Sequence, residues 1–352
     1  MSRRHFISLA TLSLLALTST AAAQQPLVPL PRSQPELISD PSNSLNNPGR
    51  PTRLPDDIPS AGSAAQIVFE LDYKLWRPRR QANDFAIADP NVDGVVEGPI
   101  QSLNPGFSSG FRIGADYRRA CSNWDLEFAY TYFRAYDALA VNSPPGGQLW
   151  ATQTRPGIIE IVDTATATTR FQHDIFDLAL GRTVNFDPNF SMRFQGGVRI
   201  AHIGQDFSAF YDGGNASQTQ VASGFDFVGA GLMIGGEAHW NIWRSFSLYG
   251  QSHLGMLLGA TDSRLRETDS NGLVINSDVS ERASVAVPVL EMGLGVEWTR
   301  GRWNLRAGYE VSNWFQLIST PDFADDVTRG RLIRRQSNYS VDGLFFRIAY
   351  SY

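Results

Sequence analysis

The chain has 352 residues and a formal net charge of −5, with 42% hydrophobic and only 18% charged residues. A charged share below the ~25% usual for soluble domains argues against an ordinary soluble globule, and the hydrophobic share argues against disorder throughout. The negative balance speaks against a nucleic-acid partner, and a lone cysteine, Cys121, allows neither an internal disulfide nor a metal or redox motif.

Residues 1–23 read as a cleaved signal peptide. Arg3 and Arg4 form the positive start, Leu9 to Leu17 the short apolar core, and Ala21-Ala22-Ala23 the small-residue cleavage site. Loss of the two arginines takes the charge from −5 to −7. No later segment holds an apolar run long enough for a membrane helix, which needs about 18 residues or more. An exported chain of this kind is either soluble or a barrel in the outer membrane. Residues 24–63 are rich in Pro, Ser and Asn, as in Pro29-Leu30-Pro31, and are expected to form a disordered periplasmic linker. Residues 64–352 form the remaining domain.

From Ala65 the pattern alternates with period two. In the first predicted strand, Gln66 to Leu75, Ile67, Phe69, Leu71 and Tyr73 share one face, and Glu70, Asp72 and Lys74 the other. The second spans about Phe107 to Tyr117, with Arg112 on its polar face; the third starts at Trp124 and carries Glu127. The fourth covers Gln172 to Gly181, and the fifth Phe190 to His202 with Arg193 and Arg199 polar-side. The sixth runs from Phe225 to Trp240 with Glu237, the seventh from Phe246 to Leu258, and the eighth from Val285 to Trp298 with Glu291 and Glu297. The ninth, Trp303 to Val311, carries Arg306 and Glu310, and the tenth, around Leu344 to Tyr350, carries Arg347.

The connections alternate strictly. Arg118 to Asn123, Arg182 to Asn189, Asn241 to Ser245 and Thr299 to Arg302 are short, and the five others long. This is the mark of long extracellular loops and tight periplasmic turns. Beside the short turns stand Tyr117, Trp124, Phe190, Trp240, Phe246, Trp298, Trp303 and Tyr350, as a periplasmic aromatic girdle requires. Tyr352 ends the chain as an aromatic assembly signal for the barrel-assembly machinery. The fold class expected is all-β: a transmembrane antiparallel up-and-down β-barrel of ten strands in the Gram-negative outer membrane. Twelve strands result if Gly157 to Phe171 adds a hairpin.

The segments Gly110 to Gly114, Trp124 to Asp137, Phe176 to Arg182, Phe246 to Gly250, Val287 to Trp298, Leu305 to Phe315 and Val341 to Tyr352 follow one another in an order and spacing that carry a resemblance. The chain resembles the Legionella-type major outer membrane protein family. The resemblance implies an outer-membrane barrel with pore activity and transfers no catalytic residue.

The polar face offers a charge network of Glu70, Asp72, Arg112, Glu127, Arg193, Arg199, Glu237, Glu291, Glu297, Arg306, Glu310 and Arg347. Diagonal reach pairs Arg112 with Glu127, Arg306 with Glu297 and Glu310, and Arg347 with Glu70 or Asp72. Such pairs serve either as a selectivity constriction or as a structural ladder. Inward glycines, such as Gly197 and Gly231, either open a path or let the wall curve. A ten-stranded barrel is narrow, since about eight strands are already filled by side chains.

The favoured function is a narrow passive porin-like pore for small solutes or ions. The alternative is a structural or surface-binding, adhesin-like barrel with a plugged lumen, and an outer-membrane hydrolase comes third. His239 beside Glu237, and His253, sit on the inward face without a nucleophile motif, so no enzyme, cofactor or metal is expected. Partners are the outer-membrane lipids and, through Arg79, Arg80, Arg329, Arg331, Arg334 and Arg335, the phosphates of lipopolysaccharide; a solvated basic loop is the plainer reading of those arginines.

Overall fold

Alternating side chains satisfy a membrane only if every strand is paired on both sides, because an open edge in lipid leaves backbone groups without partners. The computed structural model, which describes residues 65–80, 83–120, 122–323 and 331–352, meets that condition by closure. The signal peptide and linker expected over residues 1–63, and Cys121, lie outside the described residues.

The wall consists of β1 (Gln66–Arg80), β4 (Ser108–Arg118), β5 (Trp124–Asn142), β8 (Thr164–Asp187), β9 (Phe190–Gly213), β10 (Ala216–Trp243), β11 (Phe246–Asp269), β12 (Val274–Arg300), β13 (Trp303–Phe323) and β14 (Leu332–Ser351). All neighbours are antiparallel in the order β1-β14-β13-β12-β11-β10-β9-β8-β5-β4, with β1 and β4 completing the ring. The seam is sealed from Val68 opposite Ser351 up to Arg80 opposite Tyr339. A small second sheet, order β3-β2-β6-β7, comes from β2 (Asp84–Asp89), β3 (Ile100–Ser102), β6 (Gln148–Ala151) and β7 (Ile161–Val162).

The ten expected strands are all present, and the four short turns lie where the sequence puts them. The twelve-stranded alternative is corrected: Ile161–Val162 joins the small sheet and Thr164 to Phe171 is the upper part of β8. The expected long loops are corrected too. The connections over 203–224 and 259–284 are strand extensions closed by tight turns, one at Gly213 and Gly214 (φ 80° and 56°) and one at Ser270 to Gly272.

The extensions follow from a reversal of polarity. Above the periplasmic aromatic row, the outward face is apolar and the inward face charged. On β9 the outward series Phe194, Val198 and Ile200 gives way to His202, Asp206 and Ser208, while the inward series changes from Arg193 and Arg199 to Ala201, Ile203, Phe207, Ala209 and Tyr211. Period two is unbroken, but the apolar side has moved indoors. Below the switch the wall faces lipid; above it the wall is an ordinary water-exposed barrel with an apolar core.

The lipid-facing height follows from the same strands. On β10 the outward apolar series runs from Trp240 to Val228, with Asp226 next. That is about 40 Å along the strand and, at a tilt near 45°, about 28 Å across, the thickness expected of a barrel's apolar band. A polar belt closes its upper edge on the outer face. Arg134 stacks on Tyr132 and binds Asp174 at 2.7 Å, the Tyr130 hydroxyl donates to Asp174 at 2.8 Å, and His202 meets Asp226 at 2.9 Å.

One strand pair is incomplete. Pairing between β12 and β13 ends at Val289 opposite Trp314, although both strands continue upward. Pro288, which has no N–H to offer, stands just above that last pair. Past a left-handed Gln316 (φ 50°), β13 leans into the barrel, and the Ser319 carbonyl accepts a hydrogen bond from Ser263 of β11 at 2.6 Å. The upper parts of β13 and β14 thus form an arm tucked inside the mouth.

Candidate functional site: the barrel lumen

The lumen has three storeys. The lowest is ionic. Arg347 holds Asp72 through two parallel bonds (2.6 and 2.9 Å) and reaches Glu70 at 3.0 Å. Arg112 bridges Glu70 at 3.4 Å and Glu127. Arg193 binds Asp125 and lies 3.0 Å from Glu127 and 3.7 Å from Glu237. Arg306 lies between Glu237 (3.3 Å) and Glu297 (3.6 Å), over the ring of Tyr249, and the His239 Nδ1–H donates to the Glu297 carboxylate at 2.6 Å. One level up, Arg199 grips Asp177 (2.7 and 3.0 Å) and Glu291 (2.9 Å).

Every residue of the expected network lies on the inner wall, and the pairs Arg112–Glu127, Arg306–Glu297, Arg347–Glu70 and Arg347–Asp72 form. One pairing is corrected. Glu310 does not meet Arg306; it takes the Lys74 ammonium at 2.6 Å and the Trp76 indole at 2.9 Å. Lys74 sits two residues below Trp76 on the same face of β1, and both reach one carboxylate two strands away, over Gly343 of β14. Sequence reasoning missed Lys74, Asp125 and Asp177 as network members. The signal for all three was their inward parity.

These charges are buried, with Asp72 fully so. Burial makes pairing compulsory, since an isolated charge here would carry several kcal/mol of desolvation. Each Arg is bracketed by more than one carboxylate, so carboxylates outnumber cations along the described inner wall. Within this storey lies a cavity of about 70 Å³ lined by Lys74, Arg112, Glu237, Glu291 and Arg347 among others. At roughly 10–15 Å³ per water, it holds a handful.

The middle storey is an apolar septum. Trp314, Leu317, Phe133, Phe227, Leu257 and Tyr339 are all 0% exposed and, with Trp76 and Phe171, pack into one buried cluster. Trp76 meets Phe133 and His173 edge-on at 5.5 and 5.7 Å, and His173 meets Trp314 at 5.9 Å. Trp314, Leu317 and Ile318 come from the tucked arm. The top storey is the small sheet, whose Phe85, Ala86, Leu149 and Val162 pack on Ala165, Ala209, Tyr211 and Val221 of the wall. The Tyr211 hydroxyl donates to the Phe85 carbonyl at 2.7 Å and ties the sheet in place.

The glycines bear on curvature. A Cβ on Gly231 would overlap the carbonyl oxygen of Met256 on β11, and one on Gly197 would overlap that of Leu178 on β8. These positions permit neighbouring backbones to approach and the wall to bend; they do not widen a channel.

Of the girdle residues, Tyr117, Trp124, Trp240, Phe246 and Trp303 are outward and exposed, and Trp303 contacts Tyr350 at 4.9 Å. Trp243, stacked on Phe246, and Phe186, beside Phe190, extend the row and were missed because they lie within the short turns. Tyr352 is outward, with its N–H bonded to the Ile67 carbonyl at 2.9 Å. Of the loop arginines, Arg79 binds Asp342 and Arg334 binds Glu281. Arg329 and the side chains of Arg80 and Arg335 lie outside the described residues.

Solved structures similar to the chain are outer-membrane barrels. The outer membrane protease OmpT of Escherichia coli is 10% identical, with 82% of this chain and 97% of that chain covered and a TM-score of 0.47. The P. putida toluene transporter TodX is 10% identical (82% and 90% covered, TM-score 0.23). The attachment invasion locus protein Ail of Yersinia pestis is 12% identical (82% and 100% covered, TM-score 0.23). At these scores they say nothing of what this chain does. No curated protein matches it. Residues 60–352 match the family described as Legionella pneumophila major outer membrane protein precursor. Its strands, its apolar outer band and this match together make the chain a member of the Legionella major outer membrane protein family, a β-barrel of the bacterial outer membrane.

Proposed function

We propose that this protein is a structural, surface-presenting outer-membrane barrel whose lumen is sealed as folded. The observation that carries the reading is the septum of fully buried Trp314, Leu317, Leu257, Phe133 and Phe227 directly above the ionic storey. A hydrated ion cannot cross a dry apolar layer without shedding water it has nothing to exchange for. The protein does no chemistry in this reading. The inward His239 is flanked by carboxylates and Arg306, and the His202–Asp226 pair faces outward at the lipid boundary, neither beside a Ser or Cys nucleophile among the described contacts.

The test is single-channel recording of the refolded barrel in a planar bilayer. The expected record is silent, with folding verified by heat-modifiable electrophoretic mobility. Frequent discrete openings from the unmodified protein would overturn the sealed reading. They would favour the second one, a narrow pore for small solutes or ions, which the water-sized cavity among lumen charges supports.

A further inference from the structure

A row of polar side chains crosses three adjacent strands on the outer wall, just where the apolar band ends. Arg79 of β1 stands opposite Ser340 of β14, and Ser340 stands opposite Asn313 of β13. With about 5 Å between strands, the row is about 10 Å long. Below it, Leu344 on β14 and Val311 on β13 are the uppermost exposed apolar residues of the lipid-facing band. The row therefore lies at the headgroup level of the outer leaflet.

Above the row is a cavity of about 410 Å³, roofed by Asn83, Leu103, Asn104 and Pro105 of the first extracellular segment. That volume falls within the range of small-ligand sites, about 300–1,000 Å³. The Asn313 Oδ1 accepts from Ser340 Oγ at 2.7 Å, and the Asn338 Oδ1 accepts from the Gln316 N–H at 2.9 Å. Their oxygens are committed, so their amide NH2 groups are the ends left to donate. The one cation, Arg79, is already bound to Asp342 (Nη2 to Oδ2 3.1 Å), and Asp342 also takes the Tyr309 hydroxyl. A clamp for several phosphates needs unpaired cations; this cavity instead offers amides, a hydroxyl and one neutralised guanidinium. Pro78, Pro105 and Leu103 add apolar surface.

Uncommitted amides beside prolines match a pyranose ring, with hydroxyls on its edge and C–H groups on its face. We propose that this cavity binds a sugar ring of an outer-leaflet glycolipid headgroup. The site stands whether or not the lumen conducts.

The experiment uses the refolded full barrel in detergent micelles and calorimetric titration with two probes: the deacylated core oligosaccharide of lipopolysaccharide, and intact lipopolysaccharide. Asn313→Leu and Asn338→Leu are compared with Arg264→Ala, a change at an exposed wall residue remote from the cavity. Asn313→Asp preserves size if the leucine variants fail to fold. The expected result is oligosaccharide binding that falls at least tenfold in either asparagine variant and is unchanged in Arg264→Ala, with intact lipopolysaccharide binding more tightly. Equal affinity for both probes would overturn the lipid source in favour of a soluble saccharide. No binding, or binding indifferent to both asparagines, would overturn the site itself.

Discussion

Asp72 has no exposed surface and two cations on it, Arg347 at 2.6 Å and Lys74 at 3.2 Å. Replacing Arg347 by Ala leaves Asp72 with Lys74 alone and Glu70 with Arg112 alone, so the loss approaches that of a broken buried pair, about 3–5 kcal/mol. Urea titration of the barrel in vesicles is expected to show it, and Asp72→Asn in the Arg347→Ala background should recover a large part. Recovery is the informative outcome, since an effect of lost packing alone would not respond to neutralising the carboxylate. The backbone limits side chains just as sharply. Gly231→Val must push its branches into the Met256 carbonyl of the next strand, a clash of the overpacking kind, about 1–3 kcal/mol. The same change at Gly224, whose Cβ position meets only the Asp206 carboxylate at 3.7 Å, should be far milder. Sequence parity placed Glu70, Asp72, Arg112 and Arg347 on one face; diagonal reach paired Arg112 with Glu127 across a short turn, and Arg347 with Glu70 or Asp72 across the seam. It gave no access to Lys74–Glu310, because β1 and β13 are not neighbours: the two side chains, 236 residues apart in sequence, meet over the intervening β14.

Strand positions were legible where lipid imposes one rule along the whole outward face. Strand lengths were not, because the rule changes sign within a strand. Phe207, Ala209 and Tyr211 keep the period of Val198 and Ile200 but occupy the opposite face. The small sheet was illegible for a different reason: β7 has only two residues and β3 three, too short for any period. That sheet has its own pH sensitivity. The Trp150 indole N–H bonds Asp89 at 2.9 Å, and the Asn91 backbone N–H bonds it too, which together hold its carboxyl below the ordinary value of 3.8. A depressed carboxylate stabilises the fold above its unfolded pKa, and that contribution is lost as pH falls through the lower folded value. Acid titration followed by Trp150 fluorescence should therefore show the sheet loosening below pH 3.8, and Asp89→Asn should remove the transition.

At the scale of the whole molecule, two solvents shape one wall, and the lumen inherits both. Where the outside is lipid, the inside carries charge; where the outside is water, the inside is apolar. The septum falls at the changeover, and the arm of β13 supplies its centre with Trp314 and Leu317. The strands that would have to part for a channel are thus already parted: β13 leaves β12 above Val289, so the plug is held by packing and a few bonds such as Ser263 to Ser319, not by a full ladder. Opening the septum should cost the barrel little of its wall. Trp314→Ala with Leu317→Ala is expected to give brief conductance steps in a planar bilayer, against the silence expected of the unmodified protein. The current must then pass the ionic storey, where Arg199 lies between Asp177 and Glu291 and Arg193 among Asp125, Glu127 and Glu237. That excess of carboxylates should make the opened path prefer cations, by a positive shift of reversal potential on the dilute side of a salt gradient. Adding Glu291→Gln should weaken the preference. Anion selectivity in the opened variant would mean that the path runs outside the charged lumen, through the gap between β12 and the arm.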